Sequence, residues 1–123
     1  MIIAVWIVSG LLAVVYLGVG AMKLVSPKER LAKNMGWVEN ASAPVVKLVG
    51  ALEILGALGL VLPVLLNIAP VLTPLAASGL VAVQLVGIVV HLRRGERAIV
   101  PNIVLLLLAL FVALARFGAF GAL

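Results

Sequence analysis

The sequence predicts an all-α fold: an integral membrane antiparallel four-helix bundle with a short interfacial helix between spans one and two. Three observations predict it. Of 123 residues, 66% are hydrophobic and only 11% charged, whereas a soluble domain is about half apolar and about a quarter charged. The apolar residues fall into four stretches close to the roughly 20 residues that a helix needs to cross the hydrocarbon. The charges gather in two of the three connections between those stretches. A single transmembrane domain, residues 1–123, accommodates the whole pattern.

The first span covers about 2–22, IIAVWIVSGLLAVVYLGVGAM, and stops at Lys23. No basic segment precedes it and its apolar run is long for a secretion signal, so it reads as a retained helix. The connection KLVSPKERLAKNMGWVENASA follows. Ser26 and Glu29 have capping-box spacing, Pro27 suits a first turn and Gly36 an end. This predicts a short helix from Pro27 to about Met35, with Leu31, Met35 and Trp37 in the interface and the lysines reaching the headgroups. The second span, about 44–62, begins near Pro44 and ends or kinks at Pro63. The third, about 74–92, opens with Thr73 as N-cap and Pro74 in the first turn, where a missing N–H needs no partner. The fourth, about 101–120, starts at Pro101. Spans two and three are joined by NIA without charge, spans three and four by RRGER.

Successive spans alternate in direction, so the first and third connections share a side. Lys23, Lys28, Arg30, Lys33, Lys47, Arg93, Arg94 and Arg97 all fall there, and Arg116 alone does not. Basic connections stay in the cytoplasm, which predicts a multi-pass protein of a bacterial inner membrane with both termini outside. The formal charge of +5 then serves orientation and anionic lipid headgroups rather than nucleic acid. The chain has no cysteine, which excludes thiol catalysis, disulfides and Cys-ligated metal. No metal site is read from the sequence, and no cofactor is required by it.

Polar residues inside a span are costly, so their depth carries meaning. At 1.5 Å per residue, Tyr16 lies about 10 Å below its inner boundary, and Glu53 and Gln84 about 12 Å below theirs. Lys23, Lys47, His91 and Asn102 form a shallower level. Tyr16 and Lys23, like Gln84 and His91, are seven residues apart and share a helix face. Gly50, Gly56, Ala57 and Gly59 around Glu53, with Gly18, Gly20, Ala77 and Gly87 elsewhere, allow close helix approach. The pattern predicts a polar pocket in the inner half under an apolar lid. Each residue also has a plain structural reading: a core carboxyl for Glu53, bonded to a partner among Tyr16, Lys23, Gln84 and His91; a packed phenol for Tyr16; a snorkelling amine for Lys23; an interface marker for His91; and a helix-start bond for Asn102. Arg116 reads as a snorkelling anchor, and Trp6 and Trp37 as interface anchors.

GVGAMKL, ALEILGALGLVLP, PLAASGLVAVQLVGIVVHLRRGE and PNIVLLLLALFVALARF, in this order, resemble the DoxX-like family of small four-helix membrane proteins. The resemblance covers almost the whole chain. It implies an antiparallel four-helix bundle with Lys23, Glu53, His91 and Asn102 as the family's polar positions; Tyr16 and Gln84 come from depth alone. The family takes its name from a subunit associated with thiosulfate:quinone oxidoreductase, so the resemblance implies a link to redox complexes in which quinone carries the electrons.

Four functions fit. The first is a pocket for a lipophilic, oxygen-bearing molecule such as a quinone, with Lys23, His91 or Asn102 bonding its oxygens and Gln84 nearby, in a membrane subunit or anchor. The second is a cofactor-free isomerase or cyclase with Glu53 as general acid, assisted by Tyr16 or His91. The third is a proton-coupled small exporter, which would be a homodimer, although aromatic residues at 5% are few for a cation cage. The fourth is an assembly scaffold within a membrane complex. Membrane lipids and a lipophilic small molecule are the expected partners.

Overall fold

A computed structural model describes residues 1–33, 35–40 and 42–123. The elements are α1 (Ile2–Val25), α2 (Lys28–Ala32), a 3₁₀ helix (Gly36–Asn40), α3 (Ala43–Leu66), α4 (Leu72–Arg93) and α5 (Val100–Arg116), with no strand among the described residues. Three of them, α1, α3 and α4, have 24, 24 and 22 residues and are long and apolar enough to cross a membrane; α5 is apolar but has 17 residues. Helix α1 packs mainly on α3 and also touches α5, while α4 packs on both α3 and α5.

The buried stripes of the three long helices mix small and polar residues with a few larger apolar ones. On α1 these are Val5, Ser9, Leu12, Tyr16, Gly20 and Lys23; on α3 Val46, Gly50, Glu53, Ala57 and Leu60; on α4 Thr73, Ala77, Leu80 and Gln84. The spacings of three and four keep each set on one face. Ile3, Leu11, Val14, Leu48 and Leu55 are exposed on the opposite faces. This distribution suits a lipid surround, where burial of large apolar groups gives no drive and close packing does.

Several boundaries depart from the sequence expectation. Helix α1 runs through Lys23 to Val25, and Ser26 closes it by donating its N–H to the Met22 carbonyl at 2.9 Å. Ser26 therefore does not cap α2, and the expected capping box does not form. Pro27 holds Ser26 extended, as a proline does to the residue before it. Helix α2 ends at Ala32 instead of near Met35, and Gly36 opens the 3₁₀ helix instead of closing α2; Asn34, within the expected helix, lies outside the described residues. Helix α3 begins with Ser42 accepting from the Val45 N–H at 3.4 Å and passes through Pro63 to Leu66. So close to the end, a proline removes little, because only its bond to Gly59 is lost. Thr73 is not an N-cap: Val71 takes that position and Thr73 is inside α4, fully buried. Helix α5 ends at Arg116, short of the expected 120, because Gly118 (φ 90°) and Gly121 (φ 83°) turn the chain back. Phe120 then meets Phe111 with ring centroids 5.9 Å apart.

These contacts define two ends. At the basic end, Gly36 of the first connection lies against Arg94 and Glu96 of the third: a Cβ on Gly36 would come 3.0 Å from Arg94 Nη2 and 3.0 Å from Glu96 Oε2. At the far end, residues of the α3–α4 turn meet Arg116 and the chain after it, and Arg116 lies over Trp6 of α1.

Candidate functional site

The polar level near the basic end is built on glycines. Gly20 and Gly50 face each other where α1 crosses α3. A Cβ on Gly20 would lie 2.7 Å from the Gly50 carbonyl oxygen, and one on Gly50 would lie 2.7 Å from the Gly20 oxygen. No larger residue permits that approach. Three residues onward in each helix, nearly one turn, stand Lys23 and Glu53. Lys23 Nζ donates to Glu53 Oε1 at 2.5 Å, and the two side chains are only 9% and 3% exposed. Of the partners that depth allowed for Glu53, the close helix crossing selects Lys23.

A second set adjoins it. Asn102 Nδ2 donates to Gln84 Oε1 at 2.9 Å, and Gln84 Nε2 donates to the Tyr16 hydroxyl at 2.7 Å. The relay therefore links α5, α4 and α1. Gly87, three residues after Gln84 on α4, makes room for it: a Cβ there would come 3.2 Å from Asn102 Nδ2. Gly18, by contrast, has nothing within 4 Å, so it is not one of the close-approach positions that the sequence suggested.

His91 joins neither set. Its Nδ1 lies 3.1 Å from Glu96 Oε1, the oxygen that also accepts from Arg94 Nε at 3.1 Å. The turn after α4 brings Glu96 back to His91, so the imidazole is engaged at the surface of the basic end. Lys47, placed at the same depth by sequence, is exposed. Trp37 was assigned only an interface role; its ring instead lies 5.5 Å from Lys23 Nζ, close enough for a cation–π contact. Leu31, Val38 and Val46 pack beneath it with Ala32 and Met35. The sequence signal for this placement was faint: a tryptophan five residues before a helix cap, in a connection too short to leave the surface of α1 and α3.

Two clefts mark the surface, one of about 600 Å³ between α3 and α4 and one of about 420 Å³ at the far end. Neither is lined by Tyr16, Lys23, Glu53, Gln84, His91 or Asn102. In this half the polar side chains bond to one another. What they leave is donor capacity. An ammonium has three protons and a primary amide two, and Lys23 and Asn102 each give one to a partner among the described residues. Chemically the cluster can hold a buried charge pair and can donate further hydrogen bonds toward an acceptor.

No curated protein and no solved structure matches the chain. The family model of the DoxX-like family does, over residues 7–113. That stretch contains every residue of the paired cluster and, apart from the first residues of α1, the three helices long enough to cross a membrane, and the chain belongs to the DoxX-like family of membrane proteins.

Proposed function

We propose that the chain is an antiparallel four-helix bundle, one transmembrane domain, that holds a lipophilic, oxygen-bearing molecule of quinone type against the basic-end cluster and serves as a membrane subunit of a redox complex. The observation that carries this reading is the donor surplus. Lys23 and Asn102 keep N–H groups beyond those given to Glu53 and Gln84, and Tyr16, as acceptor from Gln84, keeps its own O–H. Quinone oxygens accept hydrogen bonds and donate none, so they complement such a set. The Trp37 ring beside Lys23 offers a flat surface for the quinone ring.

Other readings have less to rest on. An isomerase or cyclase needs an acid proton from Glu53, whereas Glu53 stands as the acceptor of Lys23. A dimeric exporter needs Glu53 open to its cargo, and here it is 3% exposed and engaged within one chain. A pure scaffold has no use for spare buried donors.

The same proposal puts both basic connections in the cytoplasm, α2 in the interface and the termini outside. The contact of Gly36 with Arg94 and Glu96 supports a shared side for the two connections, and the positive-inside rule supplies the direction. Cysteine introduced at Glu96 should label only from the cytoplasm and at Asn67 only from outside; the reverse pattern overturns the orientation.

Quinone binding is tested by fluorescence. In a Trp6→Phe background Trp37 is the sole reporter, and a short-chain quinone should quench it saturably. Asn102→Ala removes one donor, so half-saturation should move about tenfold, the equivalent of one hydrogen bond of about 1.4 kcal/mol. Quenching that rises linearly without saturation, or that ignores Asn102→Ala, would overturn the proposal.

A further inference from the structure

We propose that the far-end cleft is a binding site for a phosphate group, with Arg116 gripping two of its oxygens. Arg116 is the last residue of α5, and its guanidinium lies 5.0 Å from the Trp6 ring centroid. Its Nε and Nη2 are buried and have no hydrogen-bond partner among the described residues. Those two nitrogens share one edge of the guanidinium. Their N–H bonds run parallel, and this is the edge that takes carboxylate or phosphate in a bidentate fork. A snorkelling arginine, as the sequence alone suggests for this residue, would turn that edge to water. Here that edge has no partner among the described residues, and the residue, only partly buried, lines the far-end cleft.

No acidic side chain among the described residues is paired with Arg116. The four acidic residues are Glu29, Glu39, Glu53 and Glu96. Glu29 and Glu39 belong to the first connection, Glu53 is taken by Lys23, and Glu96 by His91 and Arg94. Leu123 also lines the cleft, so an anion from outside the chain would meet Arg116 in competition with the terminal carboxylate. The site has room for it. The cleft of about 420 Å³ beside Arg116 is walled by Val64, Pro70, Val71 and Phe117, with Gly118 and Gly121 where the chain turns. Thr73, next in sequence to the cleft-lining Pro74, is fully buried, and its Oγ1 also has no partner. Its hydroxyl is the second donor that the proposal assigns to the phosphate.

A single cation among apolar walls, at the end of membrane-length helices, matches a phosphodiester carrying acyl chains. Free phosphate has the same oxygens and is the other source of this chemistry. Trp6 and residues 116–123 lie outside the stretch matched by the family model, and the site is separate from the basic-end cluster.

Thermal unfolding of the delipidated protein in detergent tests the proposal with three probes: phosphatidylglycerol, diacylglycerol with the same chains, and inorganic phosphate. Phosphatidylglycerol should raise Tm and diacylglycerol should not. A comparable rise with inorganic phosphate upholds the site and identifies a free anion as its ligand. Arg116→Lys keeps the charge and loses the fork, so the half-saturating phosphatidylglycerol concentration should increase about tenfold. Val71→Trp crowds the exposed mouth of the cleft without touching Arg116 and should weaken the response too, which decides the matter if Arg116→Lys does not fold. Equal shifts from diacylglycerol overturn the proposal. So does a phosphatidylglycerol response left unchanged by both variants, as expected if Arg116 instead pairs with the terminal carboxylate of Leu123 in the same cleft.

Discussion

The two ends of the molecule bury polar atoms in opposite states. At the basic end, Lys23 meets Glu53, and Asn102, Gln84 and Tyr16 form a relay. At the far end, Ser9 and Thr73 are fully buried, and their hydroxyls and two Arg116 nitrogens have no partner among the described residues. Burial of polar groups is costly in both places. The basic end offsets that cost within the chain and so reads as a finished structure with spare donors. The far end does not offset it, and so reads as a structure awaiting something. Fine differences in helix packing decide which is which: the glycine crossing brings partners together at one end, and glycine turns open a cleft at the other.

The comparison breaks most visibly at Lys23. Lys23→Met leaves the buried Glu53 carboxylate without its partner, a change that costs about 3–5 kcal/mol in typical proteins. Thermal unfolding in detergent should show the largest drop in Tm of any single substitution at these two ends. Adding Glu53→Gln should restore much of it, since an amide needs no counter-ion. Arg116→Met in the same lipid-free micelle should cost less, because only the contact with the Trp6 ring is lost and no buried charge is left behind. A larger loss at Arg116 than at Lys23 would reverse the roles of the two ends.

The glycine crossing can be tested against a glycine that crosses nothing. Gly20→Ala pushes a methyl to within 2.7 Å of the Gly50 carbonyl, and such overpacking costs about 1–3 kcal/mol. Gly18→Ala, with nothing within 4 Å, should be neutral or stabilising by up to about 1 kcal/mol through helix propensity. Chemical denaturation of the two variants side by side decides it, and equal effects would mean that α1 and α3 are not held together at Gly20 and Gly50.

How much of this the sequence disclosed depends on what kind of signal each feature needs. Apolar length needs only counting, so the three long helices were readable, whereas the fourth, expected over about 101–120, ends at Arg116; the depths of Tyr16, Glu53 and Gln84 follow from helix rise. Inward faces were readable only from small and polar residues, since large apolar side chains occur all round these helices. Pairing was not readable: Tyr16, Lys23, Gln84 and His91 were all candidate partners for Glu53, and the Gly20–Gly50 contact sets the register that brings Lys23 to it. His91 was misplaced because its partner Glu96 lies in a turn that folds back. Arg116 was passed over because a charge at a helix end looks the same whether its edge faces water or a cleft, and only the Trp6 contact and the turns at Gly118 and Gly121 tell them apart.

The smallest effect sharpens the comparison most. Thr73→Val replaces a hydroxyl by a methyl of nearly the same size. Where a buried hydroxyl has a partner, its loss costs about 1 kcal/mol, and where it has none, removal is neutral or stabilising by a similar amount. In lipid-free detergent Thr73→Val should therefore keep or slightly raise Tm, while Tyr16→Phe at the basic end, which takes the acceptor from Gln84, should lower it. With phosphatidylglycerol present the sign at Thr73 should change. If its Oγ1 donates to the bound phosphate, Thr73→Val loses part of the lipid-induced rise that wild type shows. A variant that is destabilised even without lipid would mean that Thr73 already has a partner within the protein. A variant that is stabilised equally with and without lipid would leave Arg116 as the cleft's one polar contact with the phosphate.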